Sequence, residues 1–180
     1  MKKVQMKALS TKSNSATALA RFPSLHGKRV FVTGGGTGIG AAMVEAFAEQ
    51  GAQIAFVDVA QAESHALAQK ITDAGHTPPW WRVCDVRDVA ALQQTIAQAT
   101  AELGDFATLV NNVARDDRHT LESVTPDYWD ERMAVNQRPA FFAIQSIVPG
   151  MKRLGGWIHH QFGLHRLAKQ GQRLPLLCHC

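Results

Sequence analysis

The chain has few cysteines, and it lacks both a long apolar run and a signal-peptide pattern. The three cysteines are Cys84, Cys178 and Cys180, an odd number that argues against a disulfide framework. Cys178-His179-Cys180 places its ligand types too close together for the separated pairs of a zinc site, so we expect no metal. No apolar stretch reaches the roughly 18 residues of a membrane-spanning helix. We therefore expect a cytoplasmic protein with no membrane partner.

Acidic residues are absent from both ends of the chain. Residues 1–30 hold seven lysines and arginines, and residues 157–180 hold three, without an aspartate or glutamate. All 15 acids lie between these ends, so the centre is acidic although the whole chain carries a formal charge of +4. We find no basic-aromatic motif and expect no nucleic-acid partner. Residues 1–24 lack hydrophobic periodicity and are predicted to be a flexible basic arm.

From residue 25 onward, short apolar strands alternate with amphipathic helices. Strands are predicted at residues 29–33, 53–57, 80–83 and 108–110. The helices between them each end at a glycine, namely Gly51, Gly75 and Gly104. A further helical region is predicted from Pro126 through Asn136 to about Leu154. This alternation predicts an α/β fold over residues 25–156, a Rossmann-type doubly wound parallel sheet with four strands in the order 3-2-1-4.

A glycine-rich motif, T-G-G-G-T-G-I-G, runs from Thr33 to Gly40 between the first strand and the first helix. Glycines let the backbone turn tightly and approach a phosphate, while the helix N-terminus offers free N–H groups to the anion. A plain loop is the alternative, but the strand-to-helix position favours a dinucleotide site. The motif predicts cofactor-binding residues at Gly34, Gly36, Thr37, Gly38, Ile39 and Gly40.

Acidic residues end the second and third strands. Asp58 can accept both ribose hydroxyls of an adenosine and would repel a 2′-phosphate, which favours NAD over NADP. The alternative for Asp58 is an exposed loop acid. Asp85, followed by Val86, can meet the adenine amino group, or it can cap a helix that begins near Arg87. These two roles for Asp85 are compatible.

Two amides, Asn111 and Asn112, follow the fourth strand. Ligands of open α/β sheets bind beyond the carboxyl ends of the strands. Asn112 is therefore a candidate cofactor-binding residue, and both amides can instead tie neighbouring strands together. Turn formation is the remaining alternative.

Together these motifs resemble the compact short-chain dehydrogenases/reductases over residues 25–156. The family's T-G-x-x-x-G-x-G matches Thr33 to Gly40, and its Asn-Asn-Ala-Gly matches Asn111 to Ala114 with Val-Ala at the last two positions. The family's helix asparagine falls on Asn136. The resemblance implies a nicotinamide dinucleotide, a small alcohol or sugar substrate, and a homo-oligomer, whose contact surface we expect to be malformed in this chain.

Three further segments resemble bacterial D-xylose 1-dehydrogenases and related aldose dehydrogenases. They are Asp116–His119, Tyr128–Arg132 and Pro149–Lys152. This resemblance implies hydride transfer from the anomeric carbon of a sugar to NAD, which gives a lactone. It also implies that Arg118 and His119 lie near the substrate mouth, with a solvated polar loop as the alternative of equal weight.

Most of the catalytic set that the resemblance implies is absent. The family moves a proton with the Tyr of a Tyr-x-x-x-Lys pair, because a phenol with a pKa of about 10 needs a neighbouring cation to act near pH 7. The single tyrosine, Tyr128, is followed by Arg132 instead of Lys and precedes Asn136, so we predict a surface or packing role for it. Of the family's catalytic residues only Asn136 is present. We predict little or no turnover, with a non-catalytic nucleotide-binding module as the alternative.

Residues 157–180 do not match the family, which has a buried fifth strand at this position. Read one nucleotide forward, the possible codons after Trp157 permit the family's Gly-Ser-Ile-Ile-Asn, and those near the end of the chain permit its Ser and Tyr. We therefore hypothesise an out-of-frame tail, which resequencing of the gene tests. The expected consequence is a fourth strand with a bare outer edge, a feature that invites aggregation.

Overall fold

A single parallel sheet with helices on both faces forms the domain. The computed structural model describes residues 20–155 and the backbone of residues 158–161. The sheet order is β3-β2-β1-β4-β5. The strands are β1 Arg29–Thr33, β2 Gln53–Asp58, β3 Trp80–Val83, β4 Thr108–Asn111 and β5 Ile158–Gln161. The helices are α1 Gly38–Glu49, α2 Gln61–Asp73, α3 Val89–Leu103, α4 Pro126–Asn136 and α5 Arg138–Arg153.

The central strand β1 is buried on both faces because its side chains alternate between two cores. Val30 and Val32 face the core that α1 and α2 cover, whereas Phe31 faces the core under α3 and α5. All three side chains are fully buried, as expected for a parallel strand that is covered on both sides. Phe31 also packs edge-to-face on Phe106, with ring centroids 5.4 Å apart.

The predicted helix ends and strand order are confirmed for the first half of the domain. Gly104 directly follows α3, and Gly51 and Gly75 each lie two residues after the last residue of α1 and α2; all three have a positive φ. A residue with positive φ turns the chain so that the last carbonyl groups of the helix can accept hydrogen bonds from the residues that follow. Glycine adopts this conformation at little cost because it has no Cβ atom. The order of the four predicted strands, 3-2-1-4, is the observed one.

The helical region predicted from Pro126 to Leu154 is two helices. α4 ends at Asn136 and α5 begins at Arg138, with Gln137 between them. Pro139 explains the interruption, because proline has no N–H to continue the hydrogen-bond ladder of α4 and disfavours helical geometry in the residue before it.

A fifth strand corrects the expectation of a bare edge at β4. β5 pairs with β4 in parallel, and the register places Thr108 opposite Ile158 and Asn111 opposite Gln161. The expected absence of a neighbour for β4 is therefore wrong. Strand pairing uses backbone N–H and C=O groups, which the Ile-His-His-Gln segment supplies although its side chains do not match the family pattern.

The described chain begins inside the predicted arm. The side chain of Gln50, which follows α1, accepts a hydrogen bond from the Phe22 N–H at 2.7 Å and donates to the Ala20 carbonyl at 3.1 Å. A short 3₁₀ turn, Pro23–Leu25, then leads into β1. The predictions for residues 1–19, and those for the tail beyond Gln161 with its Cys178-His179-Cys180 cluster, lie outside the described residues.

Within the part of the chain that the structure describes, no helix combines the length and the apolar character that crossing a membrane requires. In the same residues, no group of three or more His, Cys, Asp or Glu side chains is placed to hold a metal ion.

Candidate functional site

One cleft opens where β1, β2, β3 and β4 end. Its volume is about 350 Å³, within the usual range for a small-molecule pocket. The residues that line it are Gly34, Thr37, Asp58, Val59, Cys84, Asp85, Val86, Arg87, Asn112, Val113, Ala114, Arg115 and Val135. The sheet topology therefore brings the separate strand-end motifs to one place, as the open α/β arrangement predicts.

The glycine loop is packed so closely that side chains do not fit at several of its positions. A Cβ atom on Gly40 would overlap the carbonyl oxygen of Gly34, and one on Gly36 would overlap the Ser64 hydroxyl. Gly34 has a φ of +69°, and its N–H donates to the Val57 carbonyl at 2.7 Å. The loop is thus held directly on the end of β2.

The N-terminus of α1 faces this loop with no side-chain cap. Thr37 is the N-cap residue, and its extended backbone makes no side-chain capping hydrogen bond. The first N–H groups of the helix are therefore available to an anion, and the helix dipole favours negative charge there. Thr37 and Gly34 line the cleft, whereas the Ile39 side chain is 66% exposed.

Asp58 lies at the end of β2 and couples the glycine loop to the cleft. Its Oδ2 accepts the Gly36 N–H at 2.8 Å, and its Oδ1 accepts the Ala60 N–H at 3.0 Å. The residue is only 9% exposed, so the exposed-loop alternative is not what the structure shows. A carboxylate has about four acceptor positions, which leaves Asp58 able to accept further hydrogen bonds from a ligand in the cleft.

Asp85 does not cap α3, which corrects one of the two expectations for it. The helix begins at Val89, and Asp88 is its N-cap, with a side chain that accepts the Ala91 N–H at 3.0 Å. Asp85 instead accepts hydrogen bonds from Arg87, both from the backbone N–H and from the side chain. The Arg87 side chain holds the pKa of the Asp85 carboxyl below its ordinary value, so Asp85 is ionised at neutral pH.

Cys84 brings a thiol to the cleft, where the sequence pattern had not predicted a site residue. The residue is 5% exposed, and burial raises the pKa of its thiol. A buried thiol with a raised pKa stays protonated near neutral pH and packs as a small apolar group. Its place next to Asp85 could have been expected from the end of the third strand.

Asn112 ties β4 to the glycine loop and lines the cleft as well. Its Nδ2 donates to the Gly34 carbonyl at 2.9 Å, and its backbone N–H donates to Thr33 Oγ1 at 3.1 Å. The tying role predicted for the two amides therefore holds for Asn112. Asn111 is 3% exposed, and its side-chain amide has no hydrogen-bond partner among the described residues.

Asn136 fixes the backbone of the segment that follows β4. Its Oδ1 accepts the Arg115 N–H at 2.8 Å, and its Nδ2 donates to the Arg115 carbonyl at 3.1 Å. Arg115 lines the cleft, as does Val135. In the described structure Asn136 therefore does not line the cleft itself but holds the backbone of Arg115, which does. Arg87 and Arg115, the two basic residues of the cleft, were not predicted as site residues.

Arg118 and His119 are exposed and do not line the cleft. His119 instead contacts Tyr128, whose hydroxyl lies 2.9 Å from Nδ1 of the imidazole. The Arg132 guanidinium stacks on the Tyr128 ring at 4.5 Å. Tyr128 is therefore occupied with packing at the start of α4, as predicted.

Comparisons with known proteins agree with this geometry. The family described as short chain dehydrogenase matches residues 28–158. A protein named "Probable galactose dehydrogenase GalD" from Rhizobium meliloti (strain 1021) is 49% identical over 137 residues, which cover 76% of this chain and 54% of that protein. A D-xylose 1-dehydrogenase from Caulobacter vibrioides is 45% identical over 144 residues, which cover 80% of this chain and 56% of that protein. The chain thus spans about half the length of these relatives.

The chain is also similar in fold to solved structures of dehydrogenases/reductases. A short-chain dehydrogenase/reductase from Serratia marcescens BCRC 10948 matches with a TM-score of 0.67 and 38% identity, over 71% of this chain and 52% of that one. A dehydrogenase/reductase from Sinorhizobium meliloti 1021 matches with a TM-score of 0.68 and 36% identity, over 72% of this chain and 52% of that one.

Proposed function

Because the chain belongs to the short-chain dehydrogenase family, we propose that its cleft binds NAD and that its lineage oxidises an aldose at the anomeric carbon to a lactone. The relatives named for galactose and D-xylose support the sugar class. Since the chain spans about half of those relatives, the sugar chemistry is proposed for the lineage and cofactor binding for this chain.

The hydrogen bond from the Gly36 N–H to Asp58 carries the cofactor proposal. It holds the carboxylate at the rim of a loop in which Gly40 has no room for a side chain. Such a loop, followed by the uncapped N-terminus of α1, fits a pyrophosphate. Asp58 then has acceptors for the two ribose hydroxyls, and its charge repels a 2′-phosphate. We therefore assign NAD rather than NADP.

The cleft offers residues for the pyrophosphate and for the adenosine half of the dinucleotide. Thr37 and the loop glycines would hold the pyrophosphate, Asp58 would hold the adenosine ribose, and Asp85 with Val86 would meet the adenine. The nicotinamide ring, when bound, supplies the hydride acceptor. Asn112 ties the end of β4 to the glycine loop and lines the same cleft.

The 180 residues lack the base that would move the proton. Their single tyrosine, Tyr128, is followed by Arg132 in place of a Tyr-x-x-x-Lys lysine, and its hydroxyl contacts His119 outside the residues that line the cleft. A general base must lie within hydrogen-bond reach of the proton that it takes, and the Tyr128 hydroxyl does not line the cleft. We propose that this chain binds NAD without measurable turnover.

Titration of the purified chain with NAD and NADP, followed by tryptophan fluorescence and thermal shift, tests the cofactor proposal. We expect saturable stabilisation by NAD and at least about tenfold weaker binding of NADP. Asp58→Asn removes the charge with little change of shape and should reduce the preference to about threefold or less. Binding of neither dinucleotide, or equal binding of both by the unmodified chain, would contradict the proposal.

A non-catalytic nucleotide-binding module is the second candidate, because the chain has no Tyr-x-x-x-Lys pair. A retained module should be soluble and monodisperse without a partner, whereas a damaged enzyme should aggregate. Size-exclusion chromatography with light scattering separates the two. Oxidation of D-xylose or D-galactose by the purified chain, measured as NADH absorbance, would contradict both the proposal of a non-catalytic module and the proposal that this chain has lost turnover.

A further inference from the structure

At the β3 side of the cleft, Arg87 surrounds the carboxylate of Asp85. The backbone N–H of Arg87 lies 3.0 Å from Oδ1, and its Nε lies 3.0 Å from Oδ1 and 2.9 Å from Oδ2. The terminal nitrogen Nη2 lies 2.5 Å from Oδ2. Both residues line the cleft, so this ion pair is part of the cavity wall.

These contacts use most of the hydrogen-bond acceptor positions of the Asp85 carboxylate and leave few for a ligand. An ionised carboxylate has about four acceptor positions, and Arg87 directs three N–H groups to them. About one acceptor position remains, on a side chain whose orientation the planar guanidinium fixes. A single free acceptor matches a single N–H donor.

We propose that Arg87 is a positioning residue that orients Asp85 to select a base with an exocyclic amino group, which is adenine in NAD. The proposal rests on NAD binding in the cleft. Val86, which lies between the two charged residues in sequence, and Val113 line the same cleft and give it apolar wall on which the face of a base can pack. A base with a carbonyl oxygen at the amino position would place an acceptor against the carboxylate and leave it unpaired, which is a strong ground for rejection.

Nicotinamide hypoxanthine dinucleotide provides the test, because it replaces the adenine amino group by a carbonyl oxygen. The dissociation constants of NAD and this analogue are measured by calorimetry for the unmodified chain and for Arg87→Ala and Arg87→Lys. We expect the unmodified chain to prefer NAD about tenfold. Arg87→Ala should reduce that preference to about threefold or less, and Arg87→Lys should lie between, because lysine keeps the charge without the planar fork.

Arg82→Ala is the matched control. Arg82 lies in β3, 3.7 Å from Glu102, and is not among the residues of the cleft. The substitution removes a guanidinium of similar exposure and should leave the preference unchanged. Thermal unfolding of every variant shows whether the fold is intact, and Arg87→Lys decides if Arg87→Ala does not fold.

The outcomes separate this inference from the proposed function. An unchanged preference in Arg87→Ala that still binds NAD overturns the role of Arg87 and leaves NAD binding intact. Equal weakening of both dinucleotides indicates a merely structural residue and overturns it as well. If the unmodified chain binds neither dinucleotide, the proposed function and this inference both fail.

Discussion

Two regions meet at the cleft, and they are held in different ways. On one side, the glycine loop rests on the sheet through backbone hydrogen bonds, such as that from the Gly34 N–H to the Val57 carbonyl at 2.7 Å. Fully buried side chains such as Phe56 lie beneath it. On the other side, α4 contains no buried residue. The segment after β4 is held there by two ion pairs, the exposed pair of Arg115 with Glu131 and the pair of the largely buried Arg132 with Asp117.

The difference shows which part of the cleft is set by shape and which by charge. Buried packing leaves no room for an added Cβ atom, so the glycine loop can form only with residues that have no side chain at these positions. Exposed ion pairs contribute little each, about 0–1 kcal/mol, and are screened by salt. The exposed pair of Arg115 with Glu131 can therefore be altered with little loss of stability. We infer that the glycine loop, where buried atoms leave no room for a side chain, tolerates fewer substitutions than the exposed part of the α4 side.

Gly40→Ala should have the largest effect, because it tests the region set by shape. The added Cβ would overlap the Gly34 carbonyl and approach Asn112 Nδ2 at 2.7 Å, so the loop must move away from α1. We expect NAD affinity to fall at least about 100-fold and Tm to fall by about 5 °C or more.

Gly75→Ala is the matched control for Gly40→Ala. Gly75 has a φ of +81°, and a Cβ added to it would meet no atom within 4 Å. It lies after the end of α2, away from the cleft. Backbone strain alone should lower Tm by about 3 °C and leave NAD affinity unchanged. If Gly40→Ala bound NAD as well as Gly75→Ala does, shape would not be what sets the glycine loop.

The same contrast explains what could be predicted from the sequence. The glycine loop and Asp58 could be located because a strand, a glycine run and a helix follow each other along the chain, and the spacing alone determines where they meet. β5 could not, because Ile-His-His-Gln has no apolar pattern and forms a strand through its backbone.

The arginines of the cleft were also beyond prediction. Arg115 reaches the cleft because Asn136, 21 residues away in sequence, holds its backbone, and no local pattern encodes such a contact. Arg87 was predicted only as the start of a helix, since Asp85, Arg87 and Asp88 lie so close together in sequence that several pairings are possible. In the structure, Asp88 caps the helix and leaves Asp85 to Arg87.

Asn136→Ala should have an intermediate effect, because it removes an uncharged contact from the side that is otherwise held by charge. The Arg115 N–H and carbonyl would lose their partners at 2.8 and 3.1 Å. The two lost hydrogen bonds should cost about 1–2 kcal/mol and lower Tm by about 3–6 °C. Amide hydrogen exchange at Arg115 should become faster.

Gln137→Ala serves as a control for Asn136→Ala, because Gln137 is the exposed neighbour that separates α4 from α5. It should leave exchange at Arg115 unchanged. An unaltered exchange rate at Arg115 in Asn136→Ala would mean that the ion pairs alone hold the segment.

Arg153→Ala should have the smallest effect, and its size should depend on pH and salt as expected for charge. Arg153 at the end of α5 bonds Asp105 at 2.6 and 2.9 Å, and it holds the pKa of the Asp105 carboxyl below its ordinary value. A lowered pKa contributes stability that is present above the unfolded-state value of about 3.9 and is lost as pH falls through the folded-state value.

At pH 7 we therefore expect Arg153→Ala to lower Tm by about 2 °C or less. The difference from the unmodified chain should shrink as pH falls below the unfolded-state value, because protonation of Asp105 removes the charge pair, and it should also shrink in about 1 M salt. Lys152→Ala, at the neighbouring exposed position, should show neither dependence. An Arg153→Ala difference that persisted at low pH and high salt would mean that packing of the Arg153 side chain, and not its charge, holds the end of α5.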